Sequence, residues 1–290
     1  MKRFSFFLYL VLSGAATSYA QTRASTWNLQ PGESRYIFTD TAYVRTGPDT
    51  RQTIADTLFA GDEIIVREIL EKPLALKGFT APWLQISYKK DSVEKNGFLW
   101  QGLVSLTPLR RGDIRFIFGI DRRFTKTYQD NGVPYEASEI LIRLKAVTGG
   151  TSIHSAEFRI TDEETLNYTD GRIMSGLGLT NVRNIIVLTF SGAACGIPTN
   201  HYYFAWLQDN RLVRLPGRTD ESDAGVYYHE ERFVFPAEKG GQPDQIILNI
   251  EDASNEDEKV DKTGNPIYII KKSQQRFGWN GGNGTFGPLP

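Results

Sequence analysis

Short apolar runs broken by Gly, Pro and Asp recur along the chain from Tyr36 onward, and few stretches sustain a helical period. Leu84, Ile86 and Tyr88 alternate with Gln85 and Ser87, the spacing of a strand with one buried face. Ile64-Ile65-Val66 is a β-branched run placed directly after Gly61-Asp62. Further strand-like runs occupy 114–120, 140–147, 153–160, 185–190, 246–250 and 267–270. Residues 206–212 read as two strands joined by a polar turn, because Asn tolerates the left-handed backbone such turns need. Gly149-Gly150, Gly240-Gly241 and Gly264-Asn265-Pro266 are further turn signals. The pattern predicts a mainly β protein: a small all-β domain over 35–109, then a larger, sandwich-like all-β domain over 110–277. Arg110-Arg111-Gly112 marks the boundary. Polar residues 21–34 read as a linker, and the glycine-rich segment 278–290 as an irregular strap or a mobile end.

The N-terminus departs from this rhythm. Lys2 and Arg3 precede the apolar, uncharged run 4–12, and small and polar residues then lead to Ser18-Tyr19-Ala20. These are the three parts of a secretory signal peptide, with cleavage expected after Ala20. The apolar run is about half the ~20 residues of a spanning helix. No later segment approaches that length, so no membrane span is expected after cleavage. A periplasmic or secreted protein follows.

Composition narrows the function classes. The 290 residues hold 33 Lys+Arg against 34 Asp+Glu, so the basic surplus that phosphate neutralisation needs is missing and nucleic acid is not an expected partner. The single cysteine leaves no internal disulfide and no four-thiolate zinc site. No cofactor is expected. The length exceeds the ~250 residues at which single cores stop growing, which favours two domains.

Residues 42–48, Ala-Tyr-Val-Arg-Thr-Gly-Pro, resemble the opening signature of bacterial SH3 domains, A-x-V-R-x-G-P. The resemblance continues in order over about seventy residues, roughly a quarter of the chain. Residues 58–64 are similar to the family's L-x-x-G-x-x-V stretch, Trp83-Leu84-Gln85-Ile86 to its W-x-x-V strand, and Gly97-Phe98-Leu99 to its closing G-W-V strand. Residue chemistry agrees with this order. Val44 is expected to point inward and Arg45 outward, Gly61 to make a tight turn, and Trp83 to fill a small core. Three departures stand out: residues 70–82 read as an enlarged loop, 89–96 as a longer charged hairpin, and Phe98 replaces the usual Trp. The resemblance implies an SH3-like barrel acting as a binding module for cell-wall peptide or a partner protein. Tyr43 and Arg45 on the signature strand, and Trp100 beyond the closing strand, are the expected groove residues.

Catalytic chemistry has weaker support in the residues. Cys195 is the one thiol, and His201 and His229 are the histidines nearby in sequence that could act as its base. No Asp-Cys-Ser-Gly nucleophile motif surrounds it; a small buried thiol at a strand end is the plainer expectation. The three residues match no tight zinc spacing. Asp252, Asp257 and Asp261 lie in an acidic stretch that could offer oxygen ligands to calcium, although no D-x-[DN]-x-[DN]-G loop is present. Three functions are therefore expected, in this order: a non-catalytic envelope-binding protein, holding peptidoglycan peptide or an envelope protein; a cell-wall or peptide hydrolase with its active site in the C-terminal domain and the SH3-like barrel as targeting module; and a structural or assembly factor of the envelope.

Overall fold

The computed structural model describes residues 26–130, 132–161, 163–255 and 259–290. The signal segment and residues 21–25 of the expected linker lie outside the described residues. The protein is mainly β. Among the described residues its strands form three antiparallel sheets, and no helix is long and apolar enough to cross a membrane.

The first sheet holds β1 (Ser34–Tyr36), β2 (Thr41–Arg45), β3 (Ile54–Phe59), β4 (Glu63–Leu76), β5 (Phe79–Lys90) and β6 (Val93–Trp100), in the order β1-β4-β5-β6-β2-β3. A 3-10 turn, Gln101–Leu103, follows β6, and Val104 then bridges back to Ile37. Strand alternation holds as expected: Val44, Ile64, Val66, Leu84 and Ile86 are fully buried while Arg45 faces outward. Residues 70–82 are not an open loop. They form the outer part of the β4–β5 hairpin, which reverses at Lys77-Gly78 with φ of 56° and 82°. Gly78 is required there because a Cβ would fall 2.0 Å from the Arg123 carbonyl oxygen. The same approach lets the Arg123 amide donate to Lys77 O at 2.9 Å.

The linker reading fails for the described residues 26–34. Trp27 and Leu29 are buried, and Trp27 Nε1 donates to Val104 O at 3.0 Å. An indole with an apolar body and one satisfied donor suits a core position better than a tether.

The second sheet, β7 (Leu109–Arg111), β8 (Ile114–Asp130), β9 (Val133–Thr148) and β10 (Thr151–Ile160), is a meander. The third runs β11 (Tyr168–Ser175), β12 (Val182–Ser191), β13 (Thr199–Leu207), β15 (Arg218–Asp223), β16 (Tyr227–Val234), β17 (Gln245–Ser254), β18 (Ile269–Asn280) and β19 (Thr285–Pro288), with β14 (Leu212–Arg214) paired to β13.

The apolar run at 185–190 is explained by burial on both faces. Ile186, Leu188 and Phe190 of β12, with Phe204 and Trp206 of β13, pack on the second sheet; Phe116 meets Trp206 edge-on at 5.6 Å. Ile185 and Val187, with Tyr203, Ala205 and Leu207, pack the other way against Phe233, Ile246, Leu248 and Trp279. Tyr203 and Phe233 are T-shaped at 5.0 Å. The third sheet therefore curls back over its own strands, and β12–β13 are the middle of three layers.

A change of sheet falls near the expected boundary, at Leu109, but it does not separate two cores. One apolar cluster runs from Trp27 through Leu84 and Phe118 to Leu212. The Leu106 amide donates to Phe118 O at 2.9 Å, and Lys145 of β9 donates to Phe38 O at 3.0 Å and to Asp40 at 2.8 Å. The glycine-rich tail is likewise neither irregular nor loose. β18 and β19 form a closing hairpin, Trp279 is buried, and its Nε1 donates to Thr180 O at 2.8 Å.

Candidate functional site: an apolar, mixed-charge cleft on the first sheet

A concavity on the first sheet has a volume of about 910 Å³ and lies over the outward residues of β1, β4 and β5, walled by β3. Its floor follows from strand alternation. Ile64 and Val66 point into the core, so Glu63, Ile65 and Arg67 point into the cleft. Leu58 and Phe59 of β3 add an apolar wall, with Phe59 49% exposed and Ile65 36% exposed. Arg67 crosses the floor: its Nε donates to Ser87 Oγ at 2.9 Å, and it pairs with Glu94 at 2.8 Å.

A charge cluster fixes the β3 wall. Asp56 of β3 is nearly buried and accepts bonds from Lys90, from Lys95 at 3.0 Å and from the Tyr88 hydroxyl at 3.3 Å. The Lys90 ammonium, then Lys95 and the Thr57 amide, hold the Asp56 carboxyl well below the usual carboxylate range. Burial, with the Asp56 charge behind it, pushes the Tyr88 hydroxyl up to about 12. Lys90 and Lys95 thereby spend their charge on structure. On the rim, the side chains of Glu63, Lys89 and Asp91 form no hydrogen bond or ion pair among the described residues, so free groups of both signs face the opening.

Tyr43, Arg45 and Trp100 do come together, but not as an open groove. They line a cavity of about 200 Å³ with Trp83, Leu74 and Leu76. Trp100 ends β6 rather than lying beyond it, and it is 2% exposed, which corrects its expected exposure. Its Nε1 donates to Ala81 O at 2.9 Å and to Leu74 O at 3.1 Å, so it anchors the outer β4–β5 hairpin. Tyr43 is 49% exposed at the mouth, and Arg45 donates to Gln52 O.

Cys195 is exposed, not a buried thiol, and lines an open cleft of about 670 Å³ together with His229, Asp220 and Glu221. His201 lies apart from that lining. Its Nδ1 meets Thr189 Oγ1 at 2.9 Å and its Nε2 meets Asp220 Oδ2 at 3.1 Å, a tie across β12, β13 and β15. Burial works to raise the Asp220 carboxyl, but bonds from His201, the Glu231 amide and Arg218 outweigh it and bring the group to about 2. His229 sits between carboxylates, with Nδ1 2.6 Å from Asp252 and Nε2 3.4 Å from Glu231. The Asp252 hydrogen bond is the main reason its pKa is raised. An imidazole with both nitrogens turned to carboxylates favours its cationic form and is poorly placed to take a thiol proton.

The acidic candidates are placed for other work. Asp252 is the cross-strand partner of His229. Asp261 closes its own turn, accepting from the Thr263 amide and hydroxyl at 2.7 Å and from the Asn265 amide at 3.0 Å; the Thr263 hydroxyl bond is the largest cause bringing it to about 2. Asp257 lies outside the described residues. Among the described residues no group of three or more His, Cys, Asp or Glu side chains is placed to hold a metal ion.

The site class these features define is an apolar, mixed-charge cleft on an all-β scaffold. The chain matches no protein-family model, no curated protein and no solved structure. Sequence reasoning missed the 910 Å³ cleft. Its signal was present in the outward set Glu63, Ile65 and Arg67 of a strand whose inward set is plain, but the β3 wall depends on the fold.

Proposed function

We propose that this chain is a secreted, non-catalytic binding protein of the bacterial cell envelope that holds a short peptide, with cell-wall peptide the leading candidate, on an SH3-like module. The observation that carries this reading is the first-sheet cleft. Its volume lies in the range of ligand sites. Its floor and wall are apolar at Leu58, Phe59 and Ile65, and its rim offers unpaired groups of both signs at Glu63, Lys89 and Asp91. A short peptide with a free amine and a free carboxylate presents the complementary chemistry. The resemblance over 42–104 supports the same reading. Export rests on the signal-like pattern at 1–20.

The hydrolase reading has one supporting observation, the shared cleft of Cys195 and His229. Its histidine is poorly placed as a base, because both His229 nitrogens face carboxylates.

Co-sedimentation of the mature protein with purified peptidoglycan sacculi tests the proposal. The wild-type chain should pellet above an unrelated control. Ile65→Asp, which places a charge on the apolar floor, should weaken pelleting by about tenfold, a loss of ~1.4 kcal/mol. Cys195→Ala should pellet as wild type does. Equal pelleting by Ile65→Asp and wild type would remove the cleft from the account, and no pelleting at all would remove the wall ligand and leave a protein partner.

A further inference from the structure

The N-terminal part of β18 is exposed on both faces, from Ile269 to Arg276, and is held by pairing with β17. On its other side β19 covers Phe277–Asn280, and the Leu289 amide donates to Arg276 O at 2.8 Å. Among the described strands nothing pairs with β18 before that point. The register along β17 is unbroken, so backbone direction alternates regularly. The Trp279 amide points toward β17, where it donates to Asp244 O at 2.7 Å, and Arg276 O points away from it. Even-numbered residues therefore turn their N–H and C=O outward, and Ile270, Lys272 and Gln274 carry the free ladder positions.

An open edge of this length is a template for another strand. Charge chooses among the occupants. Residues 269–276 hold Lys271, Lys272 and Arg276 and no acid; Lys272 is paired with Glu251 of β17 at 2.7 Å, which leaves Lys271 and Arg276 as the cations without an ion pair among the described residues. A second copy must set even-numbered residues opposite even-numbered ones, and pairing antiparallel about Lys272 or Gln274 would then place Lys272 opposite itself or opposite Arg276, which disfavours self-addition in those registers. Lysine on an edge also serves as a guard against aggregation. A pure guard, however, leaves unexplained why Ile269 and Ile270 beside it are 68% and 49% exposed.

We infer that the free edge of β18 is a β-addition site for an extended acidic segment of a partner protein, with main-chain bonds made to Ile270, Lys272 and Gln274. This site is independent of the first-sheet cleft. The test uses the full mature chain and two capped heptapeptides, one alternating Glu and Val, the other Lys and Val, with amide exchange and calorimetry as readouts. The acidic peptide should protect the amides of Ile270, Lys272 and Gln274, and the basic one should not. Gln274→Pro removes an outward N–H and no main-chain bond to β17, losing there only the exposed side-chain bond to Asn249 Oδ1, so it should fold and bind at least about tenfold more weakly. Lys271→Glu with Arg276→Glu should reverse the peptide preference, which keeps the test decisive if the proline variant fails to fold. Absence of protection, equal binding of both peptides, or wild-type binding by a folded Gln274→Pro would overturn the inference. So would protection of these amides that rises with protein concentration without peptide, since that result assigns the edge to a second copy.

Discussion

At the scale of single residues, polar side chains in this protein act mainly as ties between strands. His229 is the clearest case. Glu221, His229, Asp252 and Lys271 lie directly opposite one another across β15, β16, β17 and β18, an alternating row of charge. The raised pKa of His229 fixes the sign of its pH dependence. Its stabilisation is fully present below the ordinary histidine value and is lost as pH rises through the raised one. His229→Gln should therefore lower Tm more at about pH 5.5 than at about pH 9. An equal loss at both pH values, measured by calorimetry, would show that the imidazolium contributes nothing. Trp100 shows the limits of residue-level reading. Its type and place near the closing strand were legible, and they suggested an exposed ring. The acceptors that bury it, Leu74 O and Ala81 O, sit on a hairpin that the sequence presented as a loop. Trp100→Phe leaves both carbonyls without the indole donor and should cost about 1–3 kcal/mol in chemical denaturation. A loss within error of zero would mean water replaces the indole.

At the scale of elements, strand positions were readable where one face is buried and the other open, as at Ala42 and Val44 between Thr41, Tyr43 and Arg45. They were readable again where both faces are buried, as at 185–190. They were lost where a strand faces water on both sides. Residues 271–276 of β18 are polar throughout, so period 2 leaves no trace there, and the glycines at 278–284 look like a loose end. Yet the closing hairpin is tied down by Trp279. Trp279→Ala should cost about 3–5 kcal/mol, as for other buried Trp deletions, and should expose the β18–β19 amides to exchange. Unchanged stability would mean the tail is only laid on the sheet.

At the scale of the whole molecule, the mainly β reading of the sequence holds, while the separate cores it suggested are joined by one apolar cluster. Composition and turn spacing report where sheets change. They do not report that Val104, Leu106 and Phe116 share one apolar cluster with residues as distant as Trp27 and Trp206. The cleft was illegible for the same reason, since its wall and floor come from strands that only the rolled sheet brings together. A continuous core also means that the first sheet presents its cleft on a fixed base, which suits a binding surface. The central claim is that this cleft is the binding site, and amide exchange of the mature chain with and without soluble peptidoglycan stem peptide tests it most directly. The account predicts new protection on β3, β4 and β5 around Phe59, Ile65 and Ser87, with the Cys195 loop unchanged. Protection confined to the Cys195–His229 cleft would contradict it.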